Sequence, residues 1–362
     1  MIIADKDSEY ILRFLKYLRE SEYRKIFVVK AFTEYELLNK YLDSGVACGI
    51  FCFSEDYRTV DFPTKANHFD SDITKIFLSQ DRNTPEIANT INAIYKFQPL
   101  DIVLSEIYTT FLDKHPELNK NFIGKVTKIL TVQALANEYY KNEFSYNLAK
   151  YLAGEGYKVF YLNLEWINGS EYFFEEPSKY DLSKIIYHLR KHPTKLATYI
   201  EKYKSNSIYY NLNYFERSLH VSELAELEGK DFINLINGFQ TLSIYDYLII
   251  DSEFLMCDAQ QTLVNLSDYS IMLIEESSYT NTKISQLLDY LDTLKRIEKV
   301  SVSKELNYIL VRDINQKSPE LPVWGINFSG YLEKGNLLTH ERNRDLLLYF
   351  SGMELFLKKV CK

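Results

Sequence analysis

The sequence predicts an α/β protein that consists of two doubly wound domains. Short apolar strand segments alternate with helical segments along the chain, and this order favours parallel sheets covered by helices on both faces. A length of 362 residues is enough for two domains of ordinary size. The stretch 113–123 is polar and interrupted by a proline, as linkers often are. We therefore expect one domain at 1–112, a linker at 113–123 and a second domain at 124–362.

Composition and charge limit the classes of function. The chain is 46% hydrophobic and 25% charged, and it has no apolar run of about 18 residues, the length that a membrane span requires. Acids in Met1–Asp7 stand where a signal peptide would be basic, which predicts a cytoplasmic protein. Any association with the membrane or a cell pole would then be indirect, through partners. A formal net charge of −8 disfavours nucleic acid as a partner.

The first domain opens with a short apolar strand at Met1–Ala4 and a helix at Asp7–Leu18. The helix is predicted from apolar residues that recur every three to four positions. Further segments continue the alternation: strands at Ile26–Val29, Gly49–Phe53, Ile76–Leu78 and Ala93–Tyr95, and helices at Glu34–Leu42 and Leu100–Leu112.

In order and spacing, residues 1–112 resemble a response-regulator receiver domain, which implies a flavodoxin-like three-layer sandwich. Asp5 and Asp7 match the acid pair that binds Mg²⁺ in that family, and Lys96 matches the lysine after the fifth strand. The phosphoacceptor position falls within Cys52–Ser54, where no carboxylate is available to form an acyl phosphate. Asp5 and Asp7 also have a simpler interpretation, a helix N-cap and a solvated acid that need no metal.

The second domain begins as a strand, loop, helix and strand unit. The expected elements are a strand at Lys125–Val132, a helix at Lys141–Ala153 and a buried strand at Lys158–Leu164. Within this unit, Asn147–Val159 closely resembles the helix and second strand that follow the deviant Walker A loop of MinD/ParA ATPases. The resemblance implies a P-loop NTPase fold.

Counted back from that match, the family's phosphate-binding loop falls on Ala136–Asn142, where only Lys141 is retained. Glycines of such a loop let backbone N–H groups converge on phosphate oxygens, and a hydroxyl residue ligates Mg²⁺. Here the glycine positions carry Asn137, Glu138 and Tyr140. Asn142 replaces the hydroxyl residue, so we expect no working ATPase. The simplest interpretation of Lys141 is a solvated lysine in the first turn of a helix.

Other positions of the family's site are altered as well. Asp251 ends the hydrophobic segment Tyr245–Asp251, which resembles the Walker B strand, and it keeps the expected carboxylate. Asn163 and Glu165 match two acidic positions after the second strand, of which the first has lost its charge. Lys141, Asn142 and Asp251 are therefore predicted as relict nucleotide-site residues with no catalytic role. We expect no bound cofactor, although the retained charges leave weak binding of ATP and Mg²⁺ open.

Over nearly its whole length the chain resembles the TadZ-like positioning proteins of Flp/Tad pilus assembly systems. The resemblance implies a non-catalytic localisation or assembly scaffold that forms a homodimer and binds pilus or secretion-machine proteins. The alternative is a nucleotide-responsive switch that dimerises on binding ATP with little or no hydrolysis. A DNA-partitioning protein is a third class, which the acidic charge disfavours.

Three further features have modest interpretations. His188 and His192 stand four residues apart, but no third metal ligand is near in sequence, so we expect solvated histidines and no metal site. Cys48 and Cys52 are predicted to be buried thiols. The segment 343–360 has one apolar face, which predicts either docking on the domain core or binding to a membrane.

Overall fold

The structure is a computed structural model whose chain divides into two compact units. Unit 1 comprises Met1–Ile123 and Ala197–Lys202, and unit 2 comprises Gly124–Leu196 and Tyr203–Lys362. The described residues are 1–45, 48–58, 73–82, 91–115, 127–135, 138–174, 180–207, 210–254, 257–297, 306–312, 326–333 and 354–361. Most of the predicted linker, 116–123, lies outside them. No helix within these ranges is long and apolar enough to cross a membrane.

Unit 1 contains a five-stranded sheet in the order β2-β1-β3-β4-β5, with every neighbouring pair parallel. This is a doubly wound strand order. The strands are β1 (Ile2–Ala4), β2 (Lys30–Phe32), β3 (Ile50–Phe53), β4 (Thr74–Ser79) and β5 (Asn92–Tyr95). The helices are α1 (Ser8–Glu20), α2 (Tyr35–Asp43), α3 (Leu100–Lys114) and α6 (Leu196–Tyr203), of which residues 197–202 belong to this unit.

Helices cover both faces of this sheet because its strands are apolar on both sides. Ile2 and Ala4 of β1 share a buried cluster with Leu38 and Leu42 of α2. On the other face α1 and α3 contact each other, and α3 also contacts β4 and β5. The expected parallel α/β architecture is therefore confirmed.

The prediction of the second strand was wrong in its position. We expected it at Ile26–Val29, but β2 lies at Lys30–Phe32. The Phe27 ring packs edge-on against Tyr108 of α3, with centroids 5.9 Å apart, so its apolar side chain serves the helix layer. Val28 is 83% exposed. The paired residues of the two strands start at Lys30, opposite Ile2, and the Lys30 N–H donates to the Met1 carbonyl at 3.0 Å.

Unit 2 contains an eight-stranded sheet in the order β13-β12-β11-β6-β10-β7-β9-β8. All neighbouring strands are parallel except β8 and β9. The strands are β6 (Lys128–Ala134), β7 (Val159–Asn163), β8 (Ser205–Asn206), β9 (Leu212–Tyr214), β10 (Tyr247–Asp251), β11 (Tyr269–Glu275), β12 (Leu306–Arg312) and β13 (Phe328–Glu333). The helices are α4 (Glu138–Gly154), α5 (Leu182–Lys191), α7 (Val221–Ala225), α8 (Gly229–Leu242), α9 (Asp258–Leu266), α10 (Ser278–Ile297) and α11 (Glu354–Val360).

Helix α4 begins earlier than its sequence pattern predicts, at Glu138 instead of Lys141. Residues 138–142, which align with the phosphate loop of the resembled family, are therefore helical, and 136–137 lie outside the described residues. The stretch 138–142 contains no glycine that would favour an open loop. Tyr140, Phe144 and Leu148 recur every four residues and are buried in the core, which stabilises the helix from its first turn.

The last helix, α11, docks on the core of unit 2. Its Phe356, Leu357 and Val360 are buried there, as the docking interpretation of 343–360 expects for the described part of that segment. Its last carbonyls accept hydrogen bonds from side chains: Val360 O from Tyr247 Oη (3.0 Å) and Lys128 Nζ (3.1 Å), Lys359 O from Tyr269 Oη (2.9 Å) and Cys361 O from Tyr157 Oη (3.3 Å). A helix end of this kind leaves few carbonyls without donors.

Candidate functional site

The strongest cluster of charged residues in unit 2 forms where two neighbouring strands end. Asp251 is the last residue of β10 and lies opposite Asn163, the last residue of β7. Glu165 follows β7 by two residues, and Lys141 lies in the first turn of α4. The carboxyl ends of parallel strands share one edge of the sheet, the usual position of ligand sites in doubly wound folds.

Lys141 is buried and carries two carboxylates on its ammonium group. Its Nζ lies 2.6 Å from Glu165 Oε1 and 3.0 Å from Asp251 Oδ1. It also donates to the Ser252 carbonyl at 3.0 Å. The exposed fractions of the three charged side chains are 0%, 3% and 0%. The interpretation of Lys141 as a solvated lysine was wrong, because its side chain is buried. A charge in the interior requires charged and polar partners, which the two carboxylates and the carbonyl supply.

Amide and phenol groups satisfy the remaining carboxylate oxygens. Glu165 Oε2 accepts from Asn142 Nδ2 at 2.9 Å and from Asn163 Nδ2 at 3.0 Å. Asp251 Oδ2 accepts from Tyr161 Oη at 3.0 Å. Asn142, predicted as a relict of the nucleotide site, thus serves as a donor to Glu165. All three predicted site residues meet in one cluster.

The cluster carries one ammonium and two carboxylates, so its formal charge is −1 when all are ionised. Burial raises the pKa of Asp251 to about 6, Lys141 opposes that rise, and the Glu165 carboxylate adds to it. Burial, with the Asp251 carboxylate, also raises the pKa of Tyr161 well above its ordinary range. The phenol therefore stays protonated and donates to Asp251. The arrangement can hold a proton or a cation, and it presents carboxylates to any entering anion.

Sequence reasoning missed two members of this cluster, Tyr161 and the Ser252 carbonyl. Tyr161 carries a partial signal, since it stands two residues before Asn163 on the same strand and therefore faces the same side. A backbone carbonyl has no sequence signal. Arg312, the last residue of β12, lies over the Tyr331 ring at 5.0 Å.

A second buried ion pair lies in unit 1. Lys96 Nζ donates to Asp5 Oδ2 at 2.8 Å, and the side chains are 2% and 3% exposed. Asp7 caps α1 by accepting from the Tyr10 N–H at 3.0 Å, as its N-cap interpretation predicts. The joint interpretation of the two acids as an N-cap and a solvated acid fails for Asp5, because Lys96 holds this carboxylate in the interior. Ser54, in the segment aligned with the phosphoacceptor, is buried and donates its N–H to the Ala4 carbonyl at 3.0 Å.

His192 is exposed and Cys52 is buried, as predicted, whereas His188 and Cys48 depart from their predictions. Among the described residues there is no group of three or more His, Cys, Asp or Glu side chains that could hold a metal ion. His188 is half-buried, not solvated, and stacks on Tyr203 with ring centroids 5.7 Å apart. Cys52 is a buried free thiol and Cys48 a half-buried one.

No protein-family model and no curated protein matches the sequence. Among solved structures, a ParA family ATPase from Chlorobium tepidum is 17% identical, with a TM-score of 0.48 over 66% of this chain and 93% of that chain. A putative plasmid partition protein from Borrelia burgdorferi bound to AMPPNP is 19% identical, with a TM-score of 0.47 over 65% and 100%. The cell division ATPase MinD from Pyrococcus furiosus is 12% identical, with a TM-score of 0.44 over 57% and 84%.

Proposed function

We propose that this chain is a non-catalytic localisation or assembly scaffold, in which the lysine of a former phosphate site stabilises the protein. The observation that carries the proposal is the buried contact of Lys141 with Glu165 and Asp251, at 2.6 and 3.0 Å. To contact a phosphate instead, Lys141 would have to leave both carboxylates in the interior without their cation. Breaking a buried ion pair in this way costs about 3–5 kcal/mol.

The electrostatics of the cluster support the same proposal. A polyphosphate that approached Lys141 would meet Glu165 and Asp251, and their repulsion would be strong because the site is shielded from water. Asn142 donates to Glu165, so its amide is already engaged.

A role in positioning is supported by the sequence resemblance to TadZ-like proteins. We propose that unit 1 is a receiver-like domain in which the Asp5–Lys96 ion pair replaces a phosphorylation switch, and that unit 2 is a degenerate MinD/ParA-type domain. The proposed partners are a second copy of the chain and proteins of a pilus or secretion machine. The proposed setting is the cytoplasm, with indirect recruitment to the membrane or cell pole.

The second candidate is a nucleotide-responsive switch that binds ATP without appreciable hydrolysis. It is favoured by one observation, the position of Lys141 and Asp251 at the sheet edge where doubly wound folds bind their ligands. In this candidate, ATP with Mg²⁺ would replace the internal partners of both residues, and dimerisation would follow.

Calorimetric titration of the full chain with Mg²⁺-ATP separates the two candidates. For the scaffold, we expect no saturable heat up to about 1 mM nucleotide, and the mass from light scattering should be the same with and without ATP. Micromolar binding, with a mass that rises when ATP is added, would overturn the scaffold proposal. In that event Lys141→Met should abolish the heat, and Lys184→Met, at an exposed position on α5, should leave it unchanged.

A further inference from the structure

Two segments of unit 2 expose large apolar side chains. The segment after β7 carries Trp166, Ile167 and Tyr172, and the segment that leads into and begins α7 carries Leu219 and Val221. Ile167 is 85% exposed, Leu219 69% and Tyr172 66%. We call these five residues the loop patch.

An ion pair joins the two segments. Arg217 Nε lies 2.6 Å from Glu171 Oε1. Glu171 directly precedes Tyr172, and Arg217 is two residues before Leu219, so this contact brings the two segments side by side. The exposed parts of the five side chains come to on the order of 500 Å². Apolar patches of this size on soluble proteins are often interaction sites.

Four acidic residues lie on or against the two segments of the loop patch. Glu171, Glu216 and Glu223 lie on its two segments, and Glu253 accepts from the Trp166 N–H at 3.3 Å. Arg217 is the single lysine or arginine in the described segments 166–174 and 216–224. Four carboxylates against one guanidinium give a formal charge of −3 at neutral pH.

We propose that the loop patch binds a basic amphipathic segment of a partner protein, in which an apolar stripe is flanked by lysine or arginine. The apolar stripe would cover Ile167, Tyr172 and Leu219, and the basic side chains would pair with the acids around them.

Charge and area favour this occupant over a second copy of the chain. Two copies that met face to face on the loop patch would bring two surfaces of formal charge −3 together, and like charges oppose such contact. A stable interface between folded proteins also buries about 800 Å² on each partner, which exceeds the area of the patch. A single helix laid along apolar side chains needs less area.

Trp166 supplies a direct readout, because it is 39% exposed and Trp324 is the only other tryptophan. The experiment uses the full chain with Trp324→Phe, whose melting temperature is first compared with that of the unaltered chain. The probe is a synthetic peptide of leucine and lysine, about five helical turns long, with leucine on one face. We expect a saturable blue shift of Trp166 fluorescence, which weakens as salt is added.

Matched variants and peptides decide the outcome. Ile167→Ser and Leu219→Ser should each weaken peptide binding at least tenfold, whereas Val28→Ser, at an 83% exposed position in unit 1, should not. Equal binding of a scrambled peptide, or of one with glutamate in place of lysine, would overturn the proposal. So would binding that the two loop-patch variants leave unchanged, or a blue shift produced by zwitterionic vesicles and not by the peptide. The test involves no nucleotide, so its result is independent of the scaffold proposal.

Discussion

Lys141 and Glu165 form an ion pair that is closed to solvent, with 2.6 Å between Nζ and Oε1. Asp251 adds a second carboxylate 3.0 Å from the same ammonium group. One cation therefore links the start of α4, the residues after β7 and the end of β10. The stability of unit 2 should therefore depend on the balance of charge within this cluster.

Lys141→Met should destabilise unit 2 strongly, because Glu165 and Asp251 would face each other without a cation. We expect a loss of about 3–5 kcal/mol, measured as the free energy of unfolding in urea. The control is Lys184→Met on α5, where the side chain is exposed and the change should stay within about 0.5 kcal/mol. Equal midpoints for the two variants would show that the ion pairs do not stabilise the fold.

Asp251→Asn should be far milder than Lys141→Met, because it removes the surplus negative charge and leaves a neutral pair of Lys141 and Glu165. The new amide can donate to the Tyr161 hydroxyl, which can reorient to accept. We expect a loss of about 1 kcal/mol at neutral pH. The double variant, Lys141→Met with Asp251→Asn, should unfold at a higher urea concentration than Lys141→Met alone. If the two losses of free energy of unfolding simply added, this account of the charges would be contradicted.

The stability of unit 2 should depend on pH through Asp251. Its pKa is raised in the folded state to about 6 from an ordinary value of 3.8, so the folded protein binds this proton more tightly than the unfolded chain. The tighter binding of this proton contributes about 3 kcal/mol to the free energy of unfolding below about pH 4, and the contribution is lost as pH rises through about 6. We expect urea unfolding at a series of pH values to show that the free energy of unfolding of Asp251→Asn rises relative to that of the unaltered protein as pH increases over this range. Parallel profiles would rule out this titration.

In unit 1, Lys96→Met should destabilise more than Lys96→Met combined with Asp5→Asn. The single change leaves the buried Asp5 carboxylate without its cation, and the double change leaves a neutral amide. We expect a loss of about 3 kcal/mol for the single variant and partial recovery in the double variant, both measured by urea unfolding. Lys16→Met, at an exposed position on α1, is the control. A double variant that is less stable than Lys96→Met would contradict the pairing.

Tyr247→Phe should loosen α11 without unfolding unit 2. The change removes the 3.0 Å hydrogen bond to the Val360 carbonyl but leaves the 3.1 Å contact from Lys128. We expect a loss of about 1 kcal/mol and faster hydrogen exchange in 354–361. Tyr290→Phe on α10 is a control for the loss of a hydroxyl elsewhere in the unit. Unchanged exchange in 354–361 would show that the phenol does not hold the helix.

Periodicity and strand order were sufficient to predict much of the fold. The recurrence of Tyr10, Ile11, Phe14 and Leu18 predicts α1, and these four residues are buried as expected. The run Ile26–Val29 was wrongly predicted as a strand, because strand propensity does not show which part of the fold an apolar side chain packs against. Phe27 packs on Tyr108, about 80 residues later, and no local pattern reports that contact.

The candidate site was predictable in position but not in its internal contacts. Lys141 and Asp251 were each predicted as site residues from a motif. The carboxyl ends of parallel strands lie at one edge of the sheet, so the position of the site could be predicted as well. Whether the lysine faces solvent or two carboxylates depends on side-chain packing between α4 and β10, which sequence spacing does not contain. The early start of α4 at Glu138 likewise depends on the burial of Tyr140 in the core.

The engagement of Lys141 also bears on how readily such a protein could acquire a phosphate site. Glycine at 137, 138 and 140 and threonine at 142 would match the loop of the resembled family at those positions, yet the lysine would still be held by Glu165 and Asp251. Those carboxylates lie on other segments, so they would need to change as well. A change of either carboxylate alone would act on the buried ion pairs and would cost stability. The cluster therefore opposes a stepwise change of this segment towards a phosphate-binding loop.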